Sequence, residues 1–123
     1  MTTENFSVVV AGGGTAGHIE PALAVAEVLR DAYGADVIAL GTERWLETTI
    51  VPARGFELAL IDPVPIPRTK PWKLAAVPFK LSRAVRQARQ AMQRAGADAV
   101  FGTGGYVSAP AYLAAKSLGL PFF

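Results

Sequence analysis

Two glycine-rich stretches and a single histidine hold most of the chemistry open to this chain. The first stretch, Gly12-Gly13-Gly14-Thr15-Ala16-Gly17-His18, follows the apolar run Phe6 to Ala11 and precedes a helical pattern from Pro21 to Tyr33. Residues with little or no side chain let backbone amides come close to a ligand, and the start of a helix favours anions. The second stretch, Gly102-Thr103-Gly104-Gly105-Tyr106-Val107-Ser108-Ala109, follows Asp98 to Phe101 and leads into Pro110-Ala111-Tyr112-Leu113-Ala114-Ala115, an echo of Pro21-Ala22-Leu23-Ala24-Val25-Ala26. Two such units point to the binding of a phosphate or diphosphate. His18 stands at the rim of the first, and imidazole is the side chain suited to accepting a proton near neutral pH. Glu20 is placed either to assist His18 or as a carboxylate at the helix entry. A purely structural reading uses the same residues: the glycines permit tight turns and His18 hydrogen-bonds the loop.

These residues need a scaffold that brings both loops to one place. Strands and helices alternate along the chain as βαβαβαβα, which predicts an α/β fold: a Rossmann-like parallel sheet with helices on both faces. Strand one is Phe6 to Ala11. Helix one starts at Pro21 and carries Ala22, Val25, Ala26, Leu29 and Tyr33 at helical spacing until Gly34. Strand two is Asp36 to Leu40, a short helix runs from about Arg44 to Val51 and ends near Pro52, and strand three is Glu57 to Ile61. Asp62 to Pro71 contains Pro63, Pro65, Pro67 and Pro71 and reads as a long loop. A helix follows, kinked or started by Pro78, with Leu81, Ala84, Val85, Ala88, Met92 and Ala95 on one stripe and Gly96 as its stop. Strand four is Ala97 to Phe101 and the last helix Pro110 to Leu118. In both glycine units the proline is expected in the first helical turn, where its missing N–H costs nothing. If strands one and four are parallel neighbours, both helix starts open on the carboxyl edge of the sheet, where α/β proteins bind ligands. Leu120 to Phe123 reads as the opening of a fifth strand, which suggests one half of a larger protein.

Charge is distributed unevenly. Arg68, Lys70, Lys73, Lys80, Arg83, Arg86, Arg89 and Arg94 are eight of the twelve basic residues, and no acid falls between Asp62 and Asp98. Trp72, Leu74, Val77, Phe79 and Leu81 are interleaved with these cations, the composition of a surface that lies on anionic lipid. A solvated helix with its apolar face turned to the core is the plainer reading. A nucleic-acid groove fits less well, because the aromatic residues cluster at one end instead of forming spaced stacking platforms. No apolar run approaches the roughly 20 residues that span a bilayer, and no signal segment precedes Phe6, so a cytoplasmic location is expected. With no cysteine and one histidine, neither a disulfide framework nor a metal site is expected.

Gly12, Gly14 and Gly17 also scan as Gly-x-Gly-x-x-Gly, the fingerprint of an NAD(P)-dependent oxidoreductase. That reading needs an acid at the end of strand two, which ends in Leu40-Gly41-Thr42 with Glu43 late. It also sits poorly with a helix that starts only at Pro21. A non-enzymatic peripheral membrane module, whose basic patch is its whole function, is the other alternative.

The run Gly13-Gly14-Thr15-Ala16-Gly17-His18-Ile19-Glu20-Pro21-Ala22-Leu23-Ala24-Val25-Ala26, with Gly104-Gly105-Tyr106-Val107-Ser108-Ala109-Pro110, Leu113-Ala114-Ala115 and Gly119-Leu120-Pro121, closely resembles the MurG family of bacterial glycosyltransferases. The resemblance spans the whole chain. It implies an inverting transferase of GT-B architecture, of which residues 1–123 form the N-terminal, acceptor-side domain. The activity it implies is transfer of N-acetylglucosamine from UDP-N-acetylglucosamine to the undecaprenyl-diphosphate-linked muramyl pentapeptide of peptidoglycan synthesis. That reaction takes place on the cytoplasmic face of the membrane, without metal or cofactor and with no nucleic-acid partner. His18 becomes the expected base. Gly14, Thr15, Ala16 and Gly17 become donor or diphosphate contacts, and Gly104, Gly105, Tyr106, Val107 and Ser108 acceptor-diphosphate contacts. Trp72, Lys73, Leu74, Val77, Phe79, Lys80, Leu81 and Arg83 become the expected membrane-docking surface. Ala16 departs from the glycine often found there in the family. The family's His-Glu-x-Asn stretch and C-terminal donor-binding domain lie outside this sequence, so the fragment alone is expected to be inactive.

Overall fold

The computed structural model describes residues 6–12, 16–64, 71–105 and 107–123. Strands and helices alternate as β1 (Ser7–Ala11), α1 (Ala16–Tyr33), β2 (Asp36–Gly41), α2 (Trp45–Ala53), β3 (Glu57–Leu60), a 3-10 turn (Pro71–Ala76), α3 (Val77–Ala95), β4 (Ala99–Gly102) and α4 (Ser108–Leu118). The strands form one parallel sheet in the order β3-β2-β1-β4, the doubly wound arrangement expected of alternating strands and helices. Val9 lies opposite Ile38 on one side and Val100 on the other. Past β4, Phe122 makes a parallel bridge to Val100, with the Gly102 N–H donating to the Phe123 carbonyl at 2.8 Å. The expected fifth strand is present as this short pairing.

Alternation along the strands divides the core in two, because successive side chains point to opposite faces. Val8, Val10 and Ala39 join Ile19, Ala22, Leu23 and Ala26 of α1 and Val51 of α2. Val9, Ala11, Leu40 and Val100 join Ala84, Ala88, Ala91 and Met92 of α3 and Ala111, Ala114 and Ala115 of α4 on the other face. Both faces of the sheet are therefore covered, as its near-continuous apolar strands require.

The structure moves several predicted boundaries. Helix α1 begins at Ala16, inside the first glycine stretch, and Pro21 lies within it. At this position proline forgoes the bond to the Gly17 carbonyl and crowds that oxygen with its ring, a cost confined to the start of the helix. Pro110, by contrast, sits in the first turn of α4 as expected, and Pro78 starts α3 instead of kinking it. Tyr33, expected on the buried stripe of α1, is 77% exposed, while Leu23 is buried. The reason is geometric. Tyr33 is the last residue of α1, whose 18 residues span about 27 Å, whereas the five residues of β1 span about 17 Å, so the end of the helix outruns the strand it packs on. Strand β4 begins at Ala99 because Asp98 makes a different connection: it ties β4 to β1, with its N–H donating to the Ser7 carbonyl at 2.7 Å and its carboxylate accepting the Ser7 N–H at 2.9 Å. The Ser7 hydroxyl donates to the Ala95 carbonyl at 3.0 Å and draws the end of α3 to the same point.

The exchange of Leu23 for Tyr33 on the core stripe is directly testable. Leu23→Ala should destabilise the fold by about 2–5 kcal/mol, and Tyr33→Ala should stay within about 0.5 kcal/mol, in urea unfolding followed by circular dichroism. Equal losses for the two variants would contradict this packing.

Candidate active site

Parallel pairing of β1 with β4 puts the ends of both strands at one edge of the sheet, with Ala11 opposite Gly102. The ladder continues one residue further, as the Thr103 N–H donates to the Ala11 carbonyl at 3.0 Å. The two glycine stretches therefore leave the sheet side by side. Both helix starts, Ala16 of α1 and Ser108 of α4, open on this edge and aim the positive ends of their dipoles toward the space in front of it.

His18 lies in the first turn of α1 and is half-buried. It meets the second glycine stretch at two points. The Thr103 hydroxyl donates a close hydrogen bond to the His18 carbonyl. Gly104 lies against the Cδ2–Nε2 edge of the imidazole, near enough that a Cβ there would stand 3.1 Å from Cδ2 and 3.2 Å from Nε2. Gly104 also has φ +108, a conformation open to glycine and strained for other residues. Gly12 serves the same junction from the other side. A Cβ on it would collide with Thr103 Oγ1, with the His18 carbonyl oxygen and with Ala22 Cβ, the last at 2.8 Å.

Several predicted diphosphate contacts have work inside the loop itself. The Gly104 N–H donates to Ser108 Oγ at 3.0 Å, and the Ser108 hydroxyl lies 2.8 Å from the Gly104 carbonyl oxygen and 3.3 Å from that of Ala11. Ser108 is thus the clasp of the second loop. Its own N–H donates to the Gly105 carbonyl at 3.3 Å. Val107 is buried at 1% exposure and packs into the core, so it offers no open surface to a ligand. Ala16 and Gly17 open α1, and Gly17 is exposed. Gly14, Thr15 and Tyr106, all expected contacts, lie outside the described residues. Glu20 is exposed in the second turn of α1 and pairs with Arg54 at 2.9 Å. Arg54 also pairs with Glu27, and the hydrogen bonds to Glu27 and Glu20 raise its guanidinium pKa above the ordinary value.

The basic segment divides on the structure. Trp72 and Phe79 are 71% and 79% exposed, and Leu74 is exposed as well. Val77 and Leu81 are half-buried and pack against the core cluster beneath α3, so they contribute less to an outward surface than their spacing suggested. Lys80, Arg83, Arg86, Arg89 and Arg94 line the exposed side of α3, and Arg83 holds Asp62 at 2.7 Å. The side chain of Lys73 lies outside the described residues.

Sequence reasoning overlooked two features of this edge. One is Thr103, whose hydroxyl joins the two loops. The other is a polar cavity of about 520 Å³ beyond β2 and β3, lined among others by Thr42, Glu43, Arg44, Asp62, Arg83 and Gln87. Its sequence signal was charge placed just after two strand ends, the place where open α/β sheets bind ligands.

Gly104→Ala combines a strained backbone with a methyl group pressed on the imidazole. It should lower stability by about 1–3 kcal/mol and displace the ring. Chemical denaturation and the histidine proton resonances check this, and a variant with unchanged stability and unchanged resonances would rule out the contact.

Residues 8–123 match the model of the glycosyltransferase family 28 N-terminal domain. The chain is 68% identical over 120 residues, 98% of its length and 33% of the relative's, to the UDP-N-acetylglucosamine–N-acetylmuramyl-(pentapeptide) pyrophosphoryl-undecaprenol N-acetylglucosamine transferase of Corynebacterium efficiens. It is 69% identical over 116 residues to the transferase of that name from Corynebacterium glutamicum strain R, covering 94% of this chain and 33% of the relative. Among solved structures it is similar to Acinetobacter baumannii MurG, with a TM-score of 0.80 and 37% identity over 95% of this chain and 34% of that one. The chain thus spans about a third of the length of these relatives. The start of α1 at Ala16 removes one objection to a dinucleotide site, so it is the family match, not the helix start, that decides against the oxidoreductase reading. The chain belongs to glycosyltransferase family 28, as an N-terminal domain of that family.

Proposed function

We propose that this chain is the acceptor-side domain of an enzyme that transfers N-acetylglucosamine from UDP-N-acetylglucosamine to the undecaprenyl-diphosphate-linked muramyl pentapeptide, with inversion at the anomeric carbon. The observation that carries the reading is the meeting of His18 with the second glycine loop at the carboxyl edge, where Gly104 lies against the Cδ2–Nε2 edge of the imidazole. The names printed for the relatives at 68% and 69% identity support the choice of substrates.

In this reading the acceptor hydroxyl attacks the anomeric carbon as UDP departs, and its proton passes to the imidazole of His18. A base within hydrogen-bond reach contributes about 10²- to 10⁴-fold to such a step. The amides at the start of α1 and that of the exposed Gly105 face the diphosphates, while Ser108 and the Gly104 amide hold the second loop in shape. Helix starts and backbone amides stabilise diphosphate charge without a metal. The second, C-terminal domain of a GT-B enzyme supplies the remaining donor contacts.

The lipid-linked acceptor calls for a membrane surface, and the exposed Trp72, Leu74 and Phe79 beside Lys80 are suited to one. Asp62, just past the carboxyl end of β3, holds Arg83 and Gln87 of α3, while the far end of α3 is drawn to Ser7 at the amino end of β1. Phe79 at the head of α3 therefore lies toward the same end of the domain as the glycine loops, with Trp72 and Leu74 in the turn just before it. Anionic lipid contributes about 1 kcal/mol per nearby basic side chain. We assign this surface to the cytoplasmic leaflet.

His18→Ala in the full-length enzyme should lower turnover by about 10²- to 10⁴-fold in a radiolabelled sugar-transfer assay; turnover like that of the wild type would remove His18 from this role. Trp72→Ala combined with Phe79→Ala should weaken pelleting with phosphatidylglycerol vesicles while leaving transfer to a detergent-solubilised acceptor intact. Unchanged pelleting would refute the docking assignment.

A further inference from the structure

Two hydrogen bonds converge on Thr103. Its N–H donates to the carbonyl of Ala11, the last residue before the first glycine stretch. Its hydroxyl donates to the carbonyl of His18, the last residue of that stretch. Its neighbour Gly104 adds a contact at the Cδ2–Nε2 edge of the imidazole. One residue of the second loop therefore holds both ends of the first, and the missing side chain of Gly12 leaves room for the junction.

The first turn of α1 has reason to need such a tie. Pro21 lies inside the helix and has no N–H to donate to the Gly17 carbonyl, so the turn that carries His18 is short of one helical bond. The Thr103 hydroxyl does not replace that bond, since it donates to the next carbonyl, of His18, but it ties the weakened turn to the second loop. We infer that Thr103 is a positioning residue for His18: it fixes the backbone from which the imidazole projects and so sets the ring's approach to the acceptor hydroxyl. This rests on the proposed role of His18 as base. The Thr103 hydroxyl is engaged by the His18 carbonyl, so in this inference its effect passes through His18.

Misplacement of a reacting group by about 1 Å costs on the order of 10²-fold in rate. Thr103→Val keeps the N–H bond to Ala11 and the side-chain shape but removes the hydroxyl. In the full-length transferase it should lower kcat by about 10- to 100-fold, with the KM for UDP-N-acetylglucosamine changed less than about twofold. Thr103→Ser retains the hydroxyl and should recover most of the loss. The sharpest test is the double variant, because groups that act as a unit are strongly non-additive. Thr103→Val should then cause no further loss in the His18→Ala background.

Wild-type kcat in Thr103→Val, no recovery in Thr103→Ser, or a further loss on top of His18→Ala would each overturn the inference. If Thr103→Val unfolds, Thr103→Ala and Thr103→Ser measured in the two backgrounds carry the same test. The outcomes also separate this inference from the reading beneath it. An active His18→Ala variant defeats the base assignment and Thr103's role with it, whereas an inactive His18→Ala beside a normal Thr103→Val defeats the role of Thr103 alone.

Discussion

Parallel hydrogen bonding between β1 and β4 is the constraint from which the site follows. Neither glycine stretch is a neighbour of the other in sequence, and they meet because Ala11 is paired with Gly102 and the Thr103 N–H reaches back to Ala11. The far end of the same pairing is held by Ser7 and Asp98, each donating its N–H to the other residue. A slip of one residue would turn Val9 from one core to the other and move His18 off Gly104, because strand side chains alternate with a period of two. Register is thus fixed at both ends.

The loops divide their labour between shaping and exposure. Ser108 spends its hydroxyl on the Gly104 backbone, and Val107 spends its side chain on the core. A loop so held has little conformational freedom left to lose in the anion binding proposed for it, and preorganised donors are the effective kind. Arg54 acts in a comparable way on the other side of α1. By drawing Glu20 and Glu27 toward α2, it sets two carboxylates against a guanidinium at the flank of the helix that opens on the proposed diphosphate site.

Most of the architecture was legible because it rests on local pattern. The apolar runs gave the strands, three-and-four spacing gave α3, and Gly34, Gly96 and Gly119 mark helix ends with positive φ in the structure. The two glycine stretches pointed to one shared edge, and the parallel pairing bears that out. What sequence could not show depends on what lies across space. Pro21 looked like a helix start because proline favours the first turn, yet the chain had already turned helical at Ala16. Tyr33 had the right spacing for the core, and only the length of the sheet beneath α1 leaves it exposed. Val77 and Leu81 read as part of an outward patch until α3 was laid on the sheet. Thr103 carried no signal at all. Its importance comes from a carbonyl 85 positions away in the chain.

Helices α3 and α4 meet through small side chains, Ala84, Ala88 and Ala91 on one and Ala111, Ala114 and Ala115 on the other, all buried. Small side chains let two helices approach closely, so α3 and α4 pack as one layer against the sheet whose edge carries Gly104. Phe79 stands at the head of that layer and Trp72 in the 3-10 turn just before it. Under the docking proposed above, the thickness of this layer sets the standoff of the glycine loops from the lipid.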